Sequence, residues 1–134
     1  MDRSGVTGGV RRLLRLEGLA LLAAALMAYA RVGGEWRLFA MLFLVPDLSF
    51  AAYLPGPRAG AIAYNAAHST LGPIALGAAA IAGGWTEMLP FAFIWAAHVG
   101  YDRALGYGLK HVSSFNDTHL GRIGSARARK PQEA

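Results

Sequence analysis

Six side chains capable of chemistry stand inside otherwise apolar stretches of the chain. They are Glu17, Asp47, Asn65, His68, His98 and Asp102. Imidazole nitrogens and carboxylate oxygens are common ligands of zinc and related divalent metals, so Asp47, His68 and His98 are the predicted metal ligands. Asp102 is the predicted general base or partner of His98, and Glu17 is a second predicted catalytic carboxylate. The same groups are also suited to relaying protons or to forming a hydrogen-bonded network that only fixes packing.

The spacing of these residues favours their convergence. Asn65 and His68 are three residues apart, and His98 and Asp102 are four apart, so each pair shares one face of a helix. Pro46, just before Asp47, removes a backbone N–H and predicts a kink. A kink exposes carbonyl groups that, in a membrane, are tolerated only beside protein or a water-filled cavity.

Other polar residues are candidates for binding a substrate or covering the site. Arg58 and Lys110 are predicted to hold a phosphate headgroup, and Asn65 is a further substrate contact. Asp117 and His119, within residues 115–124, form a predicted cap over the cluster, although a turn with a solvated His119 explains the same residues. We expect Arg103 to point away from Asp102 and to reach toward lipid headgroups.

The elements that carry these residues are predicted to lie in a membrane. The chain has 134 residues, of which 54% are hydrophobic and 16% charged, against about 25% charged in ordinary soluble domains. No Asp, Glu, Lys or Arg occurs from Ala59 to Thr86, a stretch that as a helix exceeds the ~30 Å hydrocarbon core of a bilayer. The absence of cysteine excludes a disulfide scaffold, and the composition excludes a disordered chain and argues against a soluble enzyme.

Four apolar segments predict an all-α fold, a four-helix transmembrane up-down bundle. Short connections between them require neighbouring helices to run antiparallel. We expect the third segment to be kinked at Pro73. The segments are Leu13–Ala30, Trp36–Leu54, Gly60–Gly83 and Met88–Leu109.

A cleavable signal peptide is the alternative interpretation of the first segment. Arg11 and Arg12 precede an apolar run that ends in Ala28-Tyr29-Ala30, which has the form of a cleavage site. Arg15 and Glu17 leave only a short uninterrupted apolar region, so a retained first helix is the favoured interpretation.

The distribution of Lys and Arg predicts the orientation. Residues 1–12 are expected in the cytoplasm, residues 13–109 form the bundle, and residues 110–134 form a cytoplasmic tail. The protein is therefore predicted to be a multi-pass protein of the inner (plasma) membrane with both termini cytoplasmic. Basic residues there face anionic lipids, and without interleaved aromatic residues they do not indicate nucleic-acid binding. The residues on this side are Arg3, Arg11, Arg12, Arg15, Arg58, Lys110, Arg122, Arg127, Arg129 and Lys130, against Arg31 and Arg37 on the other.

This topology places the polar residues at a common depth. At about 1.5 Å per residue, all six lie about 6–16 Å from the cytoplasmic ends of their helices. The third segment also has many small residues, which favour close packing within the bundle, with a homodimer seam as the alternative. Beyond the lipid bilayer and such a second copy, the sequence indicates no partner.

Several short motifs resemble those of a known family of small bacterial membrane proteins, the DUF4260 family. The resemblance covers about residues 13–124 and implies a four-span membrane protein without implying an activity. The motifs are Arg15-Leu16-Glu17-Gly18, Pro46-Asp47-Leu48-Ser49, Tyr64-Asn65-Ala66-Ala67-His68, Ala97-His98-Val99-Gly100-Tyr101-Asp102-Arg103, Gly106-Tyr107-Gly108-Leu109-Lys110 and Asp117-Thr118-His119-Leu120-Gly121.

A weaker resemblance is to intramembrane hydrolases of the alkaline ceramidase and progestin-receptor type. Those proteins use Ser, Asp and His from several helices to hold zinc near the cytoplasmic face, which implies such parts for Asp47, His68 and His98. This chain departs from them in having four predicted helices rather than seven and no H-x-x-x-H pair.

The function predicted from these features is that of a metal-dependent hydrolase acting on a lipid or another membrane-embedded substrate. Its cofactor would be a divalent metal such as zinc. One alternative is a small proton-coupled carrier in which the carboxylates and histidines relay protons. Another is a structural membrane subunit whose polar cluster serves packing alone.

Overall fold

The computed structural model describes residues 8–109 and the backbone of residues 117–118 and 121–122. The described chain is helical apart from one pairing of two-residue strands, so the predicted all-α class is confirmed. The strands are β1 (Asp117–Thr118) and β2 (Gly121–Arg122), which are antiparallel. The α-helices are α1 (Gly8–Arg31), α2 (Trp36–Leu42), α3 (Pro57–His68), α4 (Leu71–Gly83) and α5 (Leu89–Leu105), with 3-10 segments at Val45–Tyr53 and Thr86–Met88.

Two stretches are long and apolar enough to cross a membrane by themselves. One is α1, with 24 residues, and the other is Trp36–Tyr53, with 18 residues. The helices α3 and α4 meet this test only together, as a pair bent by 46°, which brings the number to three. The remaining helix, α5, has 17 residues. The structure thus supports two or three candidate spans, and the predicted four-span bundle stays a prediction.

The central helix of the fold is α5. Six of its residues are buried: Ala92, Ile94, Ala97, His98, Val99 and Gly100. It crosses α1 where both helices carry glycine. A Cβ on Gly100 would come within 2.6 Å of the Leu22 backbone nitrogen, and one on Gly18 within 2.7 Å of the Ala104 nitrogen. Glycine at both positions therefore lets the two backbones approach closely, which is a common device between membrane helices.

The second apolar segment is interrupted at Pro46. It was expected as one kinked helix to Leu54, but regular α-helix ends at Leu42 and a nine-residue 3-10 segment follows. The Asp47 N–H bonds the Leu44 carbonyl at 3.0 Å, in the three-residue pattern of a 3-10 turn. Because proline has no N–H to continue the α-helical ladder, the expected kink takes the form of a change in helix type.

The third segment breaks earlier than expected. The kink expected at Pro73 is a break at Ser69 and Thr70, where Ser69 has extended backbone angles. A proline ring clashes with the carbonyl four residues before it, so Pro73 forces the change at Ser69. Pro73 itself is buried in the first turn of α4.

Side chains of α5 satisfy the carbonyl groups exposed by this break. The Leu71 N–H, which would bond the Ala67 carbonyl in a continuous helix, bonds Ser69 Oγ at 3.0 Å instead. The indole N–H of Trp95 donates to the Ala67 carbonyl at 2.6 Å, and Arg103 Nη2 donates to the His68 carbonyl at 3.3 Å. The expectation that Arg103 reaches toward headgroups was therefore wrong. Arg103 is half-buried and stabilises the carboxyl end of α3, where a cation is favoured.

The small residues of the third segment are divided between two environments. Ala61 and Ala80 are buried, and Gly72 lies directly against the Trp95 ring, as the packing interpretation expects. Ala75 and Ala79 are exposed. A homodimer seam along the exposed part stays a prediction.

Candidate metal centre

Four of the six predicted residues meet at one point. Asp47, His68, His98 and Asp102 each offer a ligand atom, and these atoms all lie within 4.8 Å of one another. Asp47 comes from the first turn of the 3-10 segment and His68 is the last residue of α3. The other two are one turn apart on α5. Both proline-induced interruptions thus lie immediately beside a residue of this cluster.

Five of the six separations between these atoms are close to the spacing of ligand atoms around a zinc ion. His68 Nε2 lies 3.1 Å from Asp47 Oδ1, 3.3 Å from Asp102 Oδ2 and 3.0 Å from His98 Nε2. His98 Nε2 lies 3.2 Å from each of the same two carboxylate oxygens. Ligand atoms bonded to a tetrahedral zinc ion at about 2.0 Å lie about 3.3 Å apart, close to these five separations. The sixth separation, between the two carboxylate oxygens, is no more than 4.8 Å. The five separations that involve histidine therefore suit a bound metal ion, and a tetrahedral ion would also require the two carboxylate oxygens to lie about 3.3 Å apart.

A hydrogen bond between the His68 ring and the Tyr64 backbone orients the imidazole so that its Nε2 atom faces the cluster. Its Nδ1 lies 2.9 Å from the Tyr64 carbonyl, which only accepts hydrogen bonds, so Nδ1 carries the proton. The lone pair is then on Nε2, the atom that faces Asp47 and His98. Such a bond from the other ring nitrogen is the usual second partner of a metal-ligating histidine.

The other ring nitrogen of His98 interacts with the Phe43 backbone without forming a regular hydrogen bond. The Phe43 carbonyl has no backbone donor in either helical pattern, because Asp47 N–H bonds Leu44 and Pro46 has no N–H. His98 Nδ1 is buried and turned toward the Phe43 backbone, although the contact falls short of ordinary hydrogen-bond geometry.

Aromatic rings enclose the two imidazoles. The Tyr64 ring stacks on His68 at a centroid distance of 3.8 Å, and the Phe43 ring meets His98 edge-on at 5.3 Å. The His68 and His98 side chains are only 3% and 1% exposed, whereas Asp102 is 15% and Asp47 34% exposed. Asp47 is therefore the member of the cluster that outside molecules can reach.

The charges of the cluster favour a bound cation. Two carboxylates and two neutral imidazoles carry a formal charge of −2 in a region where the histidines are buried. Arg103, the neighbour of Asp102 on α5, supplies one positive charge nearby. Unpaired charge is costly in buried surroundings, and a divalent metal ion would balance both carboxylates with one particle.

The other predicted site residues lie elsewhere. Glu17 on α1 and Arg58 on α3 are exposed, and Asn65 is half-buried one turn before His68. For Asp117 the structure describes only its backbone, which pairs with Arg122, and Lys110 and His119 lie outside the described residues. The geometry also places Asp102 at the same distances as the predicted ligands, rather than only behind His98.

Sequence reasoning missed two side chains that hold the site together. Trp95 was not among the residues singled out from the sequence, and Arg103 was expected to reach toward headgroups. A usable signal was present, since Pro73 predicts exposed carbonyls one turn before it, and these need nearby N–H donors. Both donors come from the helix that also carries His98.

The comparison with known protein families agrees with the resemblance seen in the motifs. No curated protein and no solved structure matches the chain. The model of one family, described as a domain of unknown function (DUF4260), matches residues 11–123. This range contains all four residues of the cluster and both proline interruptions. Because the match covers most of its length, the chain belongs to the DUF4260 family.

Proposed function

We propose that the protein is a membrane-embedded hydrolase that uses a divalent metal ion, with zinc the best fit. Its substrate is a lipid or another molecule held in the membrane. The observation that carries the proposal is the convergence of four nitrogen and oxygen donors, at 3.0–3.3 Å for the five separations that involve histidine. A metal ion bound there would polarise a water molecule into a nucleophile near neutral pH.

The unequal exposure of the two carboxylates suggests their roles. His68, His98 and Asp102 are the less exposed donors and form a three-residue ligand set of the kind found in catalytic zinc sites. Asp47 is the donor that a water molecule can replace, because its side chain is 34% exposed. In that role the Asp47 carboxylate would accept a proton from the attacking water as a general base.

The proposed membrane arrangement has four crossings. The bent pair α3–α4 and the helix α5 supply the third and fourth, which places both termini in the cytoplasm and the cluster in the inner half of the bilayer. Arg58, Asn65 and Lys110 then lie toward the headgroup side and are proposed to contact the polar part of the substrate. The proposed reaction does not require Glu17, and Asp117 and His119 stay proposed members of a cap.

A structural metal site is the second candidate function. It is favoured by the number of protein donors, because four side chains fill a tetrahedral shell, as in zinc sites that only stabilise a fold. The cluster would then tie the 3-10 segment, α3 and α5 together. The remaining alternative, a proton-coupled carrier, would need a continuous polar path from the cluster to both faces of the membrane.

Metal analysis of the detergent-purified full chain tests the shared premise of both candidates. We expect about one zinc ion per chain in the unaltered protein and a large loss in His68→Ala and His98→Ala. Glu87→Gln, which changes an exposed carboxylate outside the cluster, serves as the control and should keep its zinc. Folded protein without stoichiometric metal after incubation with zinc would contradict the metal centre.

An activity assay separates the two candidates. Purified protein is supplied with labelled membrane lipids in nanodiscs, and free product is measured with and without a chelator. The hydrolase proposal expects metal-dependent product release that Asp47→Asn abolishes while the metal stays bound. The other outcome is that zinc raises the thermal stability of both the unaltered protein and Asp47→Asn, while neither hydrolyses ester, amide or phosphoester lipids. That outcome would support the structural metal site instead of the hydrolase.

A further inference from the structure

A cavity of about 490 Å³ lies between the 3-10 segment, α3, α4 and α5. Its walls include Leu76 of α4 and Phe91, Ile94 and Trp95 of α5. The volume falls within the roughly 300–1,000 Å³ range of small-molecule binding sites. The cavity is therefore large enough for a ligand that the four donor residues do not account for.

The cavity adjoins the candidate metal centre through the chain itself. Pro46 and Ala67 line it, and they directly precede Asp47 and His68. Ile94 also lines it and lies one helical turn before His98 on α5. The cavity and the metal centre are therefore neighbours along three chain segments, although none of the four cluster residues lines the cavity.

The walls specify the chemistry of the occupant. Eight of the nine lining residues are Leu, Val, Pro, Ala, Phe, Ile or Trp, and the ninth is Ser49. The Ser49 hydroxyl is buried and has no hydrogen-bond partner among the described residues. Because that hydroxyl oxygen is itself buried, the surface that the cavity offers to a ligand is apolar, and an apolar ligand matches it.

We infer that the cavity holds the long acyl chain of a lipid. In the membrane setting proposed above, hydrocarbon chains are the apolar molecules at hand. The cavity would then make the substrate an ester or amide of a long-chain fatty acid, a specification that rests on the proposed hydrolase function.

The corresponding reaction is hydrolysis of the acyl bond. The oxygen of water bonds to the carbonyl carbon, and the bond from that carbon to the oxygen or nitrogen of the leaving group breaks. The proton removed from water passes to the leaving atom. The products are a fatty acid and an alcohol or amine.

Trp95 provides a direct reporter of acyl-chain binding. In the Trp36→Phe/Trp85→Phe background it is the remaining tryptophan, and its ring lies on the cavity wall. Brominated stearic acid, added in small amounts to nanodiscs of ordinary lipid, quenches tryptophan fluorescence on contact. We expect quenching that saturates at about one chain per protein.

A matched pair of substitutions tests whether the binding site is the cavity. Ala67 lines the cavity, whereas its neighbour Ala66 is exposed. Ala67→Phe should weaken binding of the brominated acid about tenfold or more, the loss expected for excluding roughly two methylene groups. Ala66→Phe should bind as the unaltered background does. Leu76→Phe in the cavity and Ile74→Phe, exposed on the same helix, repeat the comparison away from the metal centre.

The outcomes separate this inference from the proposed function. Quenching that rises linearly with the probe, or that is equal in the cavity and control variants, would overturn the acyl site. Zinc is measured on the same samples and should stay at one per chain throughout. Saturable acyl binding to protein that never holds zinc would keep the cavity and remove the hydrolase, and zinc without acyl binding would do the reverse.

Discussion

Asp47 and Asp102 face the same two imidazole nitrogens at nearly the same distances, yet their surroundings differ. Asp102 shares α5 with His98 and is 15% exposed, whereas Asp47 stands at the start of a 3-10 segment and is 34% exposed. A ligand on a regular, buried helix is held more rigidly than one at an interruption. The two carboxylates should therefore contribute differently to metal binding and to catalysis.

This difference gives a prediction for two isosteric substitutions. Asp102→Asn should lower zinc affinity at least tenfold more than Asp47→Asn, because the buried carboxylate is the less replaceable ligand. Competition with a chromophoric chelator measures the affinities, with Glu87→Gln as the control. Equal losses in the two variants would assign the carboxylates equivalent roles.

The residues of the site were predictable where their types were costly in an apolar segment. Asp47, His68 and His98 stood out for that reason, and the structure brings them together. The position of Arg103 was not predictable from its helix face, because a long side chain can bend back along its stem. Its hydrogen-bond partner, the His68 carbonyl, is also available only because α3 ends there.

At the scale of elements, two prolines shape the site without touching the metal position. Pro46 changes the second segment to 3-10 geometry at Asp47, and Pro73 ends α3 at His68. Helix interruptions leave carbonyl groups without their regular donors, and the side chains of α5 supply replacements beside the cluster. The helix break at Ser69 and the hydrogen bonds that Trp95 and Arg103 donate beside it should therefore depend on each other for the stability of the fold.

Removing one replacement donor tests this dependence. Arg103→Met should destabilise the protein by about 1–3 kcal/mol, because the buried His68 carbonyl loses its charged partner. Zinc affinity should fall as well, because His68, whose carbonyl accepts this bond, is also one of the four residues of the cluster. Thermal unfolding in detergent measures the effect, with the exposed Arg37→Met as the matched control. An unfolding temperature equal to that of the control would show that the bond adds nothing.

The crossing of α1 and α5 gives a second prediction at this scale. Gly100→Ala should destabilise the protein by about 1–3 kcal/mol, because its Cβ would enter the backbone of α1. Gly77→Ala is the control, since its Cβ would meet only the Ala92 Cβ at 3.8 Å and alanine favours helix. Comparable unfolding temperatures for the two variants would contradict the close crossing.

The sequence was sufficient to predict where most helical segments lie, but not the type of helix that each segment forms. Long apolar runs located α1 and α5, and the proline positions indicated where the other segments deviate. The sequence did not predict that Pro46 would produce a nine-residue 3-10 segment, because the choice between a kink and a tighter helix depends on tertiary contacts. The break at Ser69, four residues before Pro73, follows from the steric clash of the proline ring and could have been predicted.

At the scale of the whole molecule, the absence of cysteine makes the topology accessible to experiment. Single substitutions Val10→Cys and Leu54→Cys should react with a membrane-impermeant maleimide from the cytoplasmic side of oriented vesicles. Val32→Cys and Glu87→Cys should react from the opposite side. All four positions are exposed, so labelling reports sidedness rather than burial. Labelling of Leu54→Cys and Glu87→Cys from the same side would exclude the four-span arrangement.

The charge of the cluster has a consequence for how the protein exchanges its ion with the surroundings. One divalent ion would balance the two carboxylates. Because carboxylate and imidazole ligands must be deprotonated to bind a metal, the ion competes with protons for the same four side chains. Zinc affinity should therefore fall as the pH is lowered, and titrations with zinc at several pH values measure this. Occupancy of the centre should follow the ratio of metal to proton activities in the medium.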